Sequence, residues 1–109
     1  MGAALLVACA IVSEVVATLA LRASNGFSRL GPSAVVVIGY MLAFVLLAQA
    51  LKTLNVGPVY AIWSGVGTVG AFIGGVLLFG EEARPTTLIG VGLVVAGVLV
   101  MNLGGGLKH

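Results

Sequence analysis

The chain has 109 residues, 61% of them hydrophobic and only 7% charged, with a net charge of +2. Soluble domains carry about 25% charged residues, so this composition, with a mean hydropathy of +1.26, excludes an ordinary soluble domain and marks an integral membrane protein. The few cations form no cluster that could hold phosphates, which argues against a nucleic-acid partner.

Charges fall only at Glu14, Arg22, Arg29, Lys52, Glu81, Glu82, Arg84 and Lys108, and they cut the chain into apolar blocks. About 20 apolar residues make a helix some 30 Å long, the thickness of the hydrocarbon core. Four spans account for nearly the whole chain. The first is expected over about 3–21. Its start carries no Lys or Arg and the block is of spanning length, so it reads as a permanent helix and not as a cleaved signal. It stops before Asn25 and Gly26, which favour the left-handed conformation that ends helices. Pro32 opens the second span, about 33–51. Pro58 suits the first turn of the third, about 57–79. A tight loop containing Glu81, Glu82 and Arg84 reads as solvated and leads to the fourth, about 86–103.

The expected fold is an all-α membrane protein, a single four-helix transmembrane domain over 1–109 in up-down-up-down order. Even spans put both termini on one side. Loops one and three hold Arg22, Arg29 and Arg84, and the opposite side holds Lys52, Lys108 and the terminal amine. Orientation follows Lys/Arg asymmetry, and here there is none. Four short helices are too few to enclose a pathway alone. Together these points predict an antiparallel, dual-topology homodimer.

Glu14 is a lone carboxylate in the otherwise uncharged run 2–21. An acid at the centre of a spanning helix costs roughly 2.5–3.5 kcal/mol even on lenient insertion scales, and such residues mark function. Helical spacing puts Val7, Ala10, Ile11, Ala17, Thr18 and Leu21 on its face. Desolvation disfavours the charged form of a carboxyl group, so Glu14 is suited to hold a proton or a cation in competition. Tyr40 and Trp63 sit near mid-depth and not in the headgroup belt. Phe44 lies one turn beyond Tyr40, and Tyr60, Trp63, Ser64 and Gly67 share a face of helix three. Aromatic faces attract cations. A carboxylate with aromatic walls fits a lipophilic cation.

Gly65 and Gly67 lower the cost of bending helix three beside that site, although packing against a neighbour would select the same residues. Gly70 and Gly74 form a GxxxG step. Gly90, Gly97 and Gly104 recur at heptad spacing along helix four, as an interface between close-packed helices would require. No metal centre is expected, since Cys9 has no second cysteine and His109 is terminal. No cofactor motif, phosphate loop or hydrolytic triad is present, so neither ATP use nor an enzyme is expected.

With these residues in view, the chain resembles the small multidrug resistance family along almost its whole length. The resemblance lies in Ser13-Glu14 through Thr18, Gly26 through Leu30 with Pro32-Ser33, Tyr40 and Gln49, the run Val59 through Gly67, and Gly90 through Gly97. It implies proton-coupled antiport of organic cations by an antiparallel dimer, with Glu14 shared by proton and substrate. Tyr40, Tyr60 and Trp63 would line the chamber, Gly65 and Gly67 would flex helix three, and Gly90 and Gly97 would join the protomers. Ala17 stands where a guanidinium-exporting branch would have Trp, which points to the multidrug, quaternary-cation type. The alternatives are a guanidinium-type exporter and, from another class, a proton-ring proteolipid that assembles without transporting. The expected partners are a second copy or a paired homologue, small organic cations, protons and lipid. The expected location is the bacterial inner membrane.

Overall fold

A computed structural model describes residues 2–104 and 106–107. Met1, Lys108 and His109 lie outside the described residues, and with them part of the charge count across the membrane. The fold is all-α, with helices α1 (Ala3–Ala23), α2 (Leu30–Ala50), α3 (Val56–Phe79) and α4 (Pro85–Leu103). All four are long and apolar enough to cross a membrane. At about 1.5 Å per residue, the shortest spans about 28 Å and the longest about 36 Å.

The helices form two compact units, one ending at Lys52 and the other beginning at Thr53. In the first, α1 and α2 pack as a hairpin. Val7, Ala10, Ile11 and Ala17 of α1 are buried with Val36, Ala43 and Ala50 of α2. Small residues set the closeness of this crossing. A methyl group placed on Gly39 would lie 2.8 Å from the Ala17 Cβ and 3.2 Å from the Ser13 carbonyl oxygen. Ser13 Oγ adds an interhelical bond by donating to the Gly39 carbonyl at 2.8 Å.

In the second unit, α3 and α4 meet where Gly65 leaves room for Val98, with Val94 next to it. α3 runs unbroken through Gly65 and Gly67. Gly65 thus packs directly against α4 in this conformation. Asn55, just before α3, grips the polypeptide beyond α4: its backbone N–H donates to Leu107 O at 2.7 Å and its Nδ2 to Gly106 O at 2.7 Å.

Loop one is built around Ser24, which is fully buried. Its Oγ donates to Leu21 O at 2.7 Å and accepts from the Phe27 N–H at 3.1 Å, while its carbonyl accepts from the backbones of Ser28 and Arg29. Three consecutive residues are left-handed: Asn25 (φ 50°), Gly26 (φ 70°) and Phe27 (φ 67°). The first two were expected as stop residues. Phe27 was not, because a bulky side chain disfavours that region; the bond to Ser24 holds it there.

α2 begins at Leu30, ahead of the expected 33, because Pro32 occupies the first turn, where its missing N–H has no intrahelical partner to lose. α3 starts the same way, two residues before Pro58. α3 ends at Gly80 in the left-handed conformation (φ 66°), and the Glu81 N–H donates back to Gly75 O at 3.2 Å. The Gly80 N–H turns to the same carbonyl, so one open acceptor at the helix end takes both donors of the turn. In the loop that follows, Arg84 pairs with Glu82 at 2.7 Å with both side chains largely exposed.

Candidate functional site

Glu14 and Thr18 lie four residues apart at the middle of α1, so their side chains stack on one face. Thr18 Oγ1 donates to Glu14 Oε1 at 2.8 Å. The hairpin crossing then brings the middle of α2 alongside, and Tyr40 Oη lies 2.6 Å from Thr18 Oγ1. The result is a continuous chain of carboxyl, hydroxyl and phenol. All three side chains are half-buried within the unit.

Phe44 stacks on Tyr40, with ring centroids 6.4 Å apart and planes inclined by 21°. Such pairs contribute about 0.5–1.5 kcal/mol beyond the area they bury. Phe44 is itself 59% exposed, so the two rings form a ledge with an open side. The carboxylate, the hydroxyls and the rings thus share one hairpin. An ionised carboxylate only accepts hydrogen bonds, and a protonated one also donates. The site can therefore hold a cation against rings and carboxylate, or a proton on the same oxygen.

Of the chamber residues expected on α1, Val7, Ala10 and Ile11 are buried in the hairpin contact beneath Glu14. Tyr60, Trp63 and Ser64 belong to the second unit. Tyr60 and Ser64 are exposed and Trp63 is half-buried, and the Ser64 carbonyl accepts from Thr68 Oγ1 at 2.6 Å. Nothing in the described chain lies within 4 Å of where side chains on Gly90 or Gly97 would point, and α4 has no buried residue. An apolar groove of about 580 Å³ runs along the other face of the α1–α2 hairpin, lined by residues such as Cys9, Val12, Ile38 and Leu42. It is lined by none of the residues that carry the carboxylate chemistry.

Two contributors were hidden in the sequence. Neither Gly39 nor Ser13 stands out in its own helix. Their signal is the coincidence of Ser13, Ala17 and Gly39, small residues that let two backbones approach. Recognising it requires the register between α1 and α2.

Four spanning helices, short connections and a mid-span carboxylate hydrogen-bonded beside aromatic rings define a small multi-pass membrane protein with a polar cluster inside its first helical hairpin. The chain belongs to the small multidrug resistance family: the family model described as Small Multidrug Resistance protein matches residues 3–94. It is similar to the quaternary ammonium compound-resistance protein QacE of Escherichia coli, 50% identical over 94 residues that make up 86% of each chain. It is also similar to a protein named guanidinium exporter from Salmonella typhimurium, 48% identical over 83% of this chain and 86% of the other. A multidrug transporter of Pseudomonas aeruginosa is 48% identical over 91% of this chain and 90% of its own. The protein is a multi-pass protein of the bacterial inner membrane.

Proposed function

We propose that this protein is a proton-coupled antiporter that exports lipophilic cations, often aromatic or quaternary ammonium, by alternating access. The observation that carries this reading is the Glu14–Thr18–Tyr40 chain beside the stacked Phe44 ring. A cation seated there gains a charge-assisted contact with the carboxylate and a flat apolar ledge. A proton on Glu14 removes the negative charge and so releases the cation. Binding on one side of the membrane displaces protons, and protons entering from the other side displace the cargo. The transmembrane pH gradient then drives export. The relatives named for quaternary ammonium resistance and multidrug transport support the substrate class.

The working unit in this reading is an antiparallel homodimer of a four-helix domain. The open surface of α4 around Gly90 and Gly97 supports a helix–helix interface there, and a paired homologue could take the second place. Tyr60, Trp63 and Ser64 supply further walls, and Gly65 and Gly67 give α3 its point of flexure during exchange. Two such protomers of opposite orientation make the inward-open and outward-open states near equivalents.

A guanidinium-type exporter is the second reading, favoured by the similarity to proteins of that name. Ala17 is fully buried and contributes no polar group beside Glu14 for a small planar cation, which is why the lipophilic class ranks first. Proteoliposomes with an imposed pH gradient and a panel of guanidinium, tetraalkylammonium and aromatic quaternary cations separate the two. Faster exchange of aromatic cations is expected. Rates highest for guanidinium would reverse the order, and flux without proton counterflow would refute antiport.

A further inference from the structure

Thr18 stands between two partners but carries one proton. Its Oγ1 lies 2.8 Å from Glu14 Oε1 and 2.6 Å from Tyr40 Oη, and a hydroxyl donates once while accepting up to twice. When Glu14 is ionised its oxygen can only accept. Thr18 must then give its proton to Glu14, and Tyr40 must give its own to Thr18. The Tyr40 oxygen keeps its lone pairs free for a third group.

A proton arriving on Glu14 Oε1 finds an acceptor already in place at Thr18. Thr18 then turns its O–H toward Tyr40 Oη, which becomes an acceptor, and the Tyr40 O–H is turned outward. Protons balance in both states: two hydroxyl protons fill the two hydrogen bonds of the ionised form, and the third proton of the neutral form appears as the released phenol O–H. No O–H bond of either hydroxyl breaks; the rotors turn.

We infer that Thr18 is a relay that makes the hydrogen-bonding sense of Tyr40 follow the charge of Glu14. This rests on the proposed exchange of protons at Glu14. Its consequence lies at the aromatic ledge, since Tyr40 is stacked on Phe44. The phenol offers a lone pair to a cation while Glu14 is charged, and turns a partly positive hydrogen toward it once Glu14 is neutral. Substrate is thus favoured and rejected at two points by one proton. The helix packed against α1 brings one titratable group, Tyr40 itself. Those of α1 besides Glu14 are Cys9, on the groove face, and Arg22 in the last turn. Arg29 and Lys52 flank α2.

The test is infrared difference spectroscopy of protein with ring-labelled tyrosine in lipid, recorded on either side of the Glu14 titration. The phenol C–O band differs between donor and acceptor states, and the Tyr40 band is assigned by its loss in Tyr40→Phe. In the wild type and in Thr18→Ser the band is expected to shift from the donor to the acceptor position as Glu14 gains its proton. In Thr18→Val it is expected to stay fixed, with Thr18→Ala as a second break in the relay should that variant not fold. Glu14→Gln, whose amide has no proton to gain or lose in this range, is expected to hold the band at one position at every pH. A wild-type band that does not move, or one that follows Glu14 in the Thr18 variants, overturns the relay. Substrate-induced proton release is measured in parallel: release that persists with an immobile Tyr40 band removes the relay alone, and release that is unchanged in Glu14→Gln removes the antiport reading itself.

Discussion

Gly39 and Ala17 meet so closely that the methyl group of one leaves no room for a second, since a Cβ on Gly39 would sit 2.8 Å from that of Ala17. This single crossing fixes the register that puts Tyr40 next to Thr18. Gly39→Ala is expected to cost about 1–3 kcal/mol, as over-packing does in tightly packed interiors. Exchanging the methyl across the contact, in the double variant Ala17→Gly with Gly39→Ala, should recover most of that loss. Unfolding in mixed detergent micelles measures both. A double variant no better than the single one would mean that the crossing does not depend on this contact.

Removing the carboxylate should uncouple the protein. Glu14→Gln keeps the shape and the capacity for hydrogen bonding but has no charge to exchange, so cation affinity is expected to fall by more than about tenfold, roughly 1.4 kcal/mol. Substrate-induced proton release from purified protein should vanish. Calorimetric titration in buffers of different ionisation enthalpy reads both quantities together.

The ledge can be dissected one ring at a time. Phe44→Ala removes the stacking partner of Tyr40 and is expected to weaken flat aromatic cations by about 0.5–1.5 kcal/mol. Tetraalkylammonium ions, which present no face to stack, should change less. Equal losses for both classes, measured by equilibrium binding, would show that Phe44 acts through packing alone.

Ser24 holds loop one through its backbone partners at Ala20, Leu21, Phe27, Ser28 and Arg29. Ser24→Ala takes away the two side-chain bonds, to the Leu21 carbonyl and from the Phe27 N–H, at about 0.5–1.5 kcal/mol each. It also frees Phe27 to leave its left-handed conformation. Faster proteolysis between α1 and α2 is the expected readout, and unchanged cleavage would assign the loop's order to the backbone bonds alone.

The helices were legible because charges and prolines punctuate a chain with little else to interrupt it. Pro58 lies in the first turn of α3, where the spacing expects it, whereas Pro32 sits inside the first turn of α2 and not just ahead of it, since that turn makes no use of the missing N–H. The pair Glu14 and Thr18 followed from spacing along one helix. Their link to Tyr40 did not, because the offset between two helices is decided by side-chain volumes at Ser13, Ala17 and Gly39 that no periodicity encodes. Phe27 was illegible for a related reason: its own side chain argues against its backbone angle, and the cause lies three residues earlier in Ser24. Gly65 reads equally well as a flexible point or a packing niche, and the Val98 methyl beside it fills the niche.

The grip of Asn55 on the carbonyls of Gly106 and Leu107 has a practical side. A reporter or purification handle joined directly behind those residues would tug on the threshold of α3, and a truncation ahead of them would leave an amide and a backbone donor searching for new acceptors. Labels for following this protein in a bilayer are therefore better attached through a spacer, so that the handle does not become part of what is measured.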